Sequence, residues 1–494
     1  KNGYGLSKGV IDGIFEEHFP QLVITVDCGI SCAEEVEYIK ELGAEVIVTD
    51  HHELPENIPD CICVNPKFAD DYIYDNLCGA GVAFKLACAL NGERAYKYLD
   101  FAAIATVADS VSLIGENRDI VAEGLKLINS APAQSYANFF NKQDTVTSQT
   151  IAFTVAPKIN AAGRMGDANA ALSLFSETDE NKISALATKL LEYNTERQKR
   201  CDELYNSAKE MIRAKGGYGR IILLCNENWD SGFVGIVAAR IVEEFSRPAI
   251  LFVKHGDMLK GSARSIDTVN VFGALKACSE YIAEFGGHSQ AAGVNVSADN
   301  FANLENALEE YMCAHYSAED FVPSVYVSGT LDDNYSNKLV KELEMLEPFG
   351  VGNRRPLFAL KESAVAAKSI KNAHLSMKSG SLELMYFGGA KHRKMLQSSA
   401  EKTLIFEFNI SNFRGKEFIK GFVRDVVYDG NACSAAREDV ALSYLETLSS
   451  PVSGDMRTVS VADVAKLIKS GEEGIAYITW DNRSLARFEG QEKL

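Results

Sequence analysis

Apolar runs and amphipathic stretches alternate through the first quarter of the chain. Leu22-Val23-Ile24-Thr25-Val26 and Val46-Ile47-Val48-Thr49 have the continuous apolar character of strands buried on both faces. Between them, residues 32–42 place Ala33, Val36, Ile39 and Leu42 near one helical face, and Gly43 then stops the helix. Strand, helix and strand joined by short loops predict a parallel sheet, whose ligands gather at the strand carboxyl ends. Gly79-Ala80-Gly81 opens a further helical pattern and reads as a tight turn into a helix more than as a phosphate loop.

Residues 180–214 form one long polar pattern with an apolar seam at Ile183, Leu186, Leu190, Leu204 and Met211, closed by Gly216-Gly217. A helix of that span is roughly 50 Å long at about 1.5 Å per residue, enough to link two domains. A second α/β unit follows, with strands predicted at residues 221–225 and 249–253 and an amphipathic helix at 234–245. It continues through Lys260-Gly261-Ser262-Ala263-Arg264-Ser265 to Phe285-Gly286-Gly287-His288-Ser289-Gln290, where the glycines read as a helix C-terminal turn. After a helical stretch at 301–315, short strands at 324–329, 357–360, 382–387, 403–410 and 418–427 predict a small barrel. Residues 431–494 return to helix and strand patterns and read as the beginning of a further domain.

With 494 residues, 46% of them hydrophobic and 24% charged, the chain has the composition of a soluble globular protein of several domains. No apolar run approaches the ~20 residues that span a bilayer, and no signal segment opens the chain, so no membrane association and a cytoplasmic location are expected. The eleven cysteines lack framework spacing and read as reduced thiols. Cys28 with Cys32, or Cys61 with Cys63, is half of a zinc pattern without a second half. The net charge of −18 argues against wholesale coating by nucleic acid, but the average hides an asymmetry. Residues 354–424 carry fourteen Lys or Arg against five Glu and no Asp, a net charge of +9. Phe387, Phe408, Phe413 beside Arg414 and Lys416, and Phe418 interleave with that charge and offer stacking platforms for a single strand. Strand alternation assigns about half of them to the barrel core.

Both early strands end in candidate chemistry: Asp27 follows the first, and Asp50-His51-His52 follows the second. Two of only eight histidines stand adjacent there. Asp109 ends a third apolar run, Ile104-Ala105-Thr106-Val107-Ala108. A single aspartate in such a place is more often a cap or turn residue, but three with a histidine pair suggest a divalent-metal site, and mixed oxygen and imidazole ligands suit manganese better than calcium.

Val26-Asp27-Cys28-Gly29, Asp50-His51-His52 and Ala105-Thr106-Val107-Ala108-Asp109-Ser110 resemble successive motifs of the DHH phosphoesterase superfamily. Lys158-Ile159-Asn160-Ala161-Ala162-Gly163-Arg164-Met165-Gly166, Gly261-Ser262-Ala263-Arg264-Ser265, Gly286-Gly287-His288 and Leu346-Glu347-Pro348-Phe349-Gly350-Val351-Gly352-Asn353 narrow the resemblance to the RecJ family of single-strand-specific exonucleases, from Gly3 to about residue 428.

The resemblance implies two Mn²⁺ (or Mg²⁺) ions bridged by Asp27, with His51 and Asp109 as further ligands. It implies that Asp50 orients an imidazole and that His52 faces the scissile phosphate. Arg164, Ser262, Arg264 and His288 would hold the DNA backbone or a 5′ phosphate, with Gly286 and Gly287 letting backbone approach it. The expected architecture is multidomain α/β: a parallel-sheet DHH domain (1–150), a connecting segment with the long helix (151–214), a DHH-associated α/β domain (215–320), an OB-fold barrel gripping single-stranded DNA (321–430), and the start of another domain (431–494).

The expected activity is stepwise 5′→3′ hydrolysis of single-stranded DNA in repair and recombination, alongside a single-strand-binding protein or a helicase. Two alternatives stand beside it: a non-catalytic single-stranded-DNA-binding relative, and a phosphodiesterase for small oligonucleotides. The family also carries an Asp-x-Asp motif on a strand before Gly-Tyr-Gly-Leu. Residue 1 is Lys and Asp12 has no Asp partner, so these 494 residues are expected to be truncated at the N-terminus and inactive or weak by themselves.

Overall fold

The structure is a computed structural model that describes residues 5–428 apart from 69–71, 141–144, 332–335, 364, 398–400 and 414–415. The further domain expected at 431–494 lies outside the described residues. The described residues form two compact units, one within 5–195 together with 342–355 and one within 196–341 together with 356–428.

In the first unit, β1 (Leu22–Val26), β2 (Glu45–Thr49) and β3 (Ile62–Val64) form a parallel sheet in that order. Helices α1 (Lys8–His18) and α2 (Ala33–Glu41) cover one face, where Ile11, Ile30, Val36, Ile39, Val46 and Val48 make a core. Each fully buried aliphatic side chain of this kind contributes about 1.5–3 kcal/mol. The other face differs from the sequence expectation. Leu22, Ile24 and Val26 of β1 and Ile62 of β3 are exposed, because α1 and α2 cover only the opposite face and β1 is the terminal strand among the described residues.

Helices α3 (Gly79–Asn91), α4 (Leu99–Ala108) and α5 (Gly115–Ser130) follow. The apolar run before Asp109 is therefore a buried helix and not a strand like the first two runs. Its small residues let α5 cross closely: a Cβ on Gly124 would lie 2.3 Å from Ala103 Cβ.

The helix Glu180–Ala214 runs its 35 residues unbroken and passes from one unit to the other. Its buried seam is Ile183, Ala187 and Leu190, then Leu204, Ala208 and Ile212. Beyond it, β4 (Ile222–Cys225), β5 (Ala249–His255), β6 (Met258–Arg264), β7 (Glu284–His288) and β8 (Ala291–Ser297) form a sheet in the order β4-β5-β6-β8-β7, parallel only between β4 and β5. Helices Val234–Phe245 and Phe301–His315 belong to the same unit, and Leu304 and Leu308 pack with Ile250, Phe252 and Val294. Gly286-Gly287-His288 is not the helix end expected from its glycines. It lies in β7 because its backbone pairs with β8, Gly286 opposite Gly293, while Phe285 packs against the core.

The barrel is a seven-stranded sheet in the order β11-β12-β13-β15-β14-β10-β9. Its strands are β9 (Gly329–Leu331), β10 (Phe358–Glu362), β11 (Ala366–Ile370), β12 (His374–Ser379), β13 (Leu382–Tyr386), β14 (Lys402–Phe413) and β15 (Lys416–Tyr428). The strand expected at 324–329 starts only at Gly329. The unexpected β11 has Lys368 and Ser369 side by side, the unexpected β12 alternates His374, Ser376 and Lys378 with Leu375 and Met377, and the two are joined through Lys371 and Asn372 in left-handed backbone at φ 51° and 54°.

Candidate metal centre and phosphate-binding face

Asp27 leaves β1 in left-handed backbone, φ 62°, a conformation that costs a non-glycine residue on the order of 1 kcal/mol and must be held by its surroundings. Two hydrogen bonds and a glycine hold it. Asp27 N–H donates to Thr49 O at 3.0 Å, Thr25 Oγ1 donates to Cys28 O at 2.7 Å, and Gly29 takes φ 112°. A Cβ on Gly79, the first residue of α3, would fall 2.2 Å from Asp27 Oδ1, so that glycine makes the room in which the carboxylate stands.

The next strand delivers the histidines. Asp50 N–H extends the β2–β3 ladder by donating to Val64 O at 3.0 Å, and Asn65 Nδ2 donates to His52 O at 3.0 Å. His51 Nε2 then stands 3.0 Å from Asp27 Oδ1 and 3.8 Å from Asp109 Oδ2. Donor atoms of Asp27, His51 and His52 all lie within 4.8 Å of one another. Asp50 points the other way. Its side chain is 1% exposed, Oδ2 accepts from Ile30 N–H at 3.0 Å, and Oδ1 lies 2.6 Å from His52 Nδ1.

The electrostatics follow from these contacts. Burial alone would raise the Asp50 carboxyl, but the hydrogen bonds from Ile30, from the His52 ring and from the His51 and His52 amides outweigh it and hold the group below its ordinary range. The His51 imidazole is raised by its bond to Asp27, against burial and with help from Asp109. Asp109 is raised, first by burial and then by the charge of Asp27, although His51 opposes the shift.

A divalent cation fits this donor set. Two ligands at right angles, each about 2.1 Å from a shared cation, are about 3.0 Å apart; Asp27 Oδ1 and His51 Nε2 have that separation. Two carboxylates and an imidazole suit a transition metal, and a cation would relieve the repulsion between Asp27 and Asp109. No cysteine joins a cluster of three metal donors among the described residues; Cys61 and Cys63 are half-buried free thiols with Sγ atoms 3.7 Å apart.

The other singled-out residues lie elsewhere. Arg164 is exposed at the end of the helix Ala156–Arg164. In the second unit, the register places Ser262, Arg264, Gly286 and His288 on one sheet face, with Gly286 and Ser262 both opposite Gly293, and His288 and Arg264 both opposite Ala291. Gly287 alternates to the other face, with φ 143°. A Cβ on Gly286 would meet nothing within 4 Å, so the strip beside Ser262 is bare backbone open to a ligand. Arg264 Nη1 donates to Ser262 Oγ at 3.2 Å, and both side chains lie over the first turn of the helix Val234–Phe245, where a Cβ on Gly235 would come within 2.9 Å of Ser262 Oγ. Sequence reasoning missed Gly235 and the spacing role of Gly79, because a glycine's neighbours across the fold leave no local signal.

On the barrel, Phe387 is 56% and Phe418 42% exposed, whereas Phe408 is buried beside Phe358 and Phe406. The side chains of Phe413, Arg414 and Lys416 lie outside the described residues. Lys361, Lys368, Lys371 and Lys378 are exposed, while Lys402 is buried and bonds the carbonyls of Ser363 and Leu396.

Comparison with known proteins matches residues 5–106 to the DHH family N-terminal domain, 217–314 to the DHHA1 domain and 330–425 to the RecJ OB domain. The chain is 33% identical over 442 residues to the single-stranded-DNA-specific exonuclease RecJ of Bacillus subtilis, a match covering 86% of this chain and 56% of that protein. It is 32% identical over 390 residues to the Escherichia coli protein of the same description, covering 72% and 67%. Among solved structures it is similar to RecJ from Thermus thermophilus in complex with Mn²⁺, with a TM-score of 0.74 and 28% identity over 85% of this chain and 63% of that one. The chain thus spans about half the length of the first two curated relatives it matches. No helix among the described residues is long and apolar enough to cross a membrane.

Proposed function

Since the chain belongs to the RecJ family of single-stranded-DNA-specific exonucleases, we propose that its protein hydrolyses single-stranded DNA stepwise from the 5′ end, releasing nucleoside 5′-monophosphates, as a cytoplasmic enzyme of DNA repair and recombination. A single-strand-binding protein or a helicase is its expected partner. One observation carries the reading: His51 Nε2 stands 3.0 Å from Asp27 Oδ1 and 3.8 Å from Asp109 Oδ2, two carboxylates delivered by separate segments.

Asp27, His51 and Asp109 would hold the divalent metal, Mn²⁺ or Mg²⁺. When bound, the metal supplies Lewis-acid activation of the attacking water and neutralises charge on the scissile phosphate. The chain's own groups do the rest. Asp50 Oδ1 would accept a hydrogen bond from Nδ1–H of His52, which leaves Nε2 of that ring directed outward to the phosphate. Arg264 offers a planar fork to a phosphate, and Ser262, His288 and the bare Gly286 strip complete the face that holds a 5′ phosphate or the backbone. Arg164 would add a phosphate contact, and Gly287 fixes the β7 backbone beneath. The domains serve these roles in order: DHH (1–150), linker and long helix (151–214), DHH-associated (215–320) and OB-fold (321–430), with Phe387 and Phe418 stacking bases beside the exposed lysines.

The preserved donor set speaks against a non-catalytic binding relative, and the basic barrel speaks against a small-oligonucleotide phosphodiesterase. The test is Mn²⁺-dependent release of mononucleotides from a 5′-phosphorylated single strand by the purified protein. Release from single strands and none from duplex supports the reading, and no release by a folded protein removes it.

A further inference from the structure

We infer that Gly350-Val351-Gly352 is a positioning element for Asp109, clamping the loop that follows this ligand from more than two hundred residues away. The inference rests on the metal-centre reading above and adds to it residues that touch neither metal nor DNA.

Asp109 caps α4, and the chain reverses at once, with Ser110 at φ 60°. The next residues are where the distant segment docks. Leu113 N–H donates to Val351 O at 2.7 Å. The approach is too close for side chains: a Cβ on Gly352, which has φ 75°, would lie 2.1 Å from Ser112 Oγ, and one on Gly350 2.6 Å from Leu113 Cδ1. Ser112 O is also held, by Tyr74 Oη at 3.1 Å and Asn117 Nδ2 at 3.0 Å. The loop thus cannot give way on its other side without breaking two half-buried hydrogen bonds.

The distant segment is itself fixed. Ser148 Oγ donates to Phe349 O at 2.6 Å, and Arg118 Nη2 donates to Glu347 O at 2.8 Å. Asn353 Nδ2 closes the turn by donating to Leu346 O at 2.8 Å and Pro348 O at 2.9 Å. A ligand needs its carboxylate fixed to a few tenths of an ångström, and helix α4 alone constrains only the chain before Asp109. The clamp constrains the chain after it.

The test is a double-mutant cycle read by direct Mn²⁺ titration of the full 494-residue chain. Gly352→Ala is expected to weaken Mn²⁺ binding about tenfold, the scale seen when a ligand loses its support. Removing the obstacle in Gly352→Ala/Ser112→Gly should restore most of the loss. In an Asp109→Asn background, which keeps Asp27 and His51, Gly352→Ala should cost nothing further. Should Gly352→Ala not fold, Ser148→Ala, which deletes only the anchor at Phe349, is expected to show the same dependence on Asp109. Wild-type affinity in these variants, or an equal loss with and without Asp109, overturns the clamp alone. A folded wild-type chain that takes up no Mn²⁺ overturns the metal-centre reading and the clamp with it.

Discussion

Asp50 and His52 are joined by a 2.6 Å contact between a carboxylate that is 1% exposed and a ring that is mostly open to solvent. Because the second oxygen of the same carboxylate takes Ile30 N–H, the pair ties the loop after β1 to the ring that faces outward after β2. Asp50→Asn preserves the shape but supplies only one acceptor oxygen, so either Ile30 N–H or the His51 and His52 donors lose their partner. We expect a stability loss of about 1–3 kcal/mol in urea unfolding. Mn²⁺-dependent nucleotide release should fall about 10- to 100-fold. Unchanged turnover would mean that His52 needs no orienting partner.

Gly79 and Asp27 give a second, steric test. Gly79→Ala places a methyl 2.2 Å from Asp27 Oδ1, inside any tolerable contact, while alanine suits the start of a helix well. The expected outcome is a protein that melts close to wild type and binds Mn²⁺ at least tenfold more weakly, on the scale of a displaced ligand. A large fall in melting temperature with unaltered Mn²⁺ affinity would contradict the assignment of Asp27.

Much of this was legible in the sequence. The helices at Val234–Phe245, Phe301–His315 and Glu180–Ala214 follow directly from apolar spacing, helped in the last by the stop at Gly216-Gly217. Asp27, His51 and Asp109 were visible because strands and a helix that end in ligands are local patterns. What escaped was set by partners distant in sequence. Gly286 and Gly287 look like a helix stop until β8 pairs with them, β1 looks buried until its cover is known, and β11 and β12 are short and rich in polar residues, with no apolar run to stand out. Gly79, Gly235 and Gly352 matter for what a Cβ would strike, which no local pattern reports.

Phe387 and Phe418 are predicted to carry single-strand affinity in the barrel, and Phe408 to carry its stability. Phe387→Ala and Phe418→Ala should each weaken binding of a poly-dT strand by about 1–3 kcal/mol, the worth of one stacked base. Phe408→Ala, in a buried aromatic cluster, should cost about 3–5 kcal/mol of folding stability. Equal binding by the first two variants, measured by fluorescence anisotropy at fixed salt, would move the strand to another surface.

Lys402 contributes to the basic count of the barrel segment but not to its surface. Its ammonium is buried on the carbonyls of Ser363 and Leu396, so Lys402→Met should destabilise the barrel by about 1–3 kcal/mol for each acceptor left unpaired. It should leave the salt dependence of DNA binding unchanged, whereas Lys368→Ala and Lys378→Ala should each flatten it. A flatter salt slope in Lys402→Met would show that this side chain reaches phosphate.

The central claim is that Asp27, His51 and Asp109 hold divalent metal. Anomalous diffraction at the manganese edge, from crystals of the chain soaked in Mn²⁺, tests it most directly. The account predicts a peak about 2.0–2.3 Å from an oxygen of Asp27 and from Nε2 of His51, with Asp109 in the same coordination sphere. A well-ordered site with no anomalous density among these three side chains, or with manganese bound only elsewhere, would contradict it.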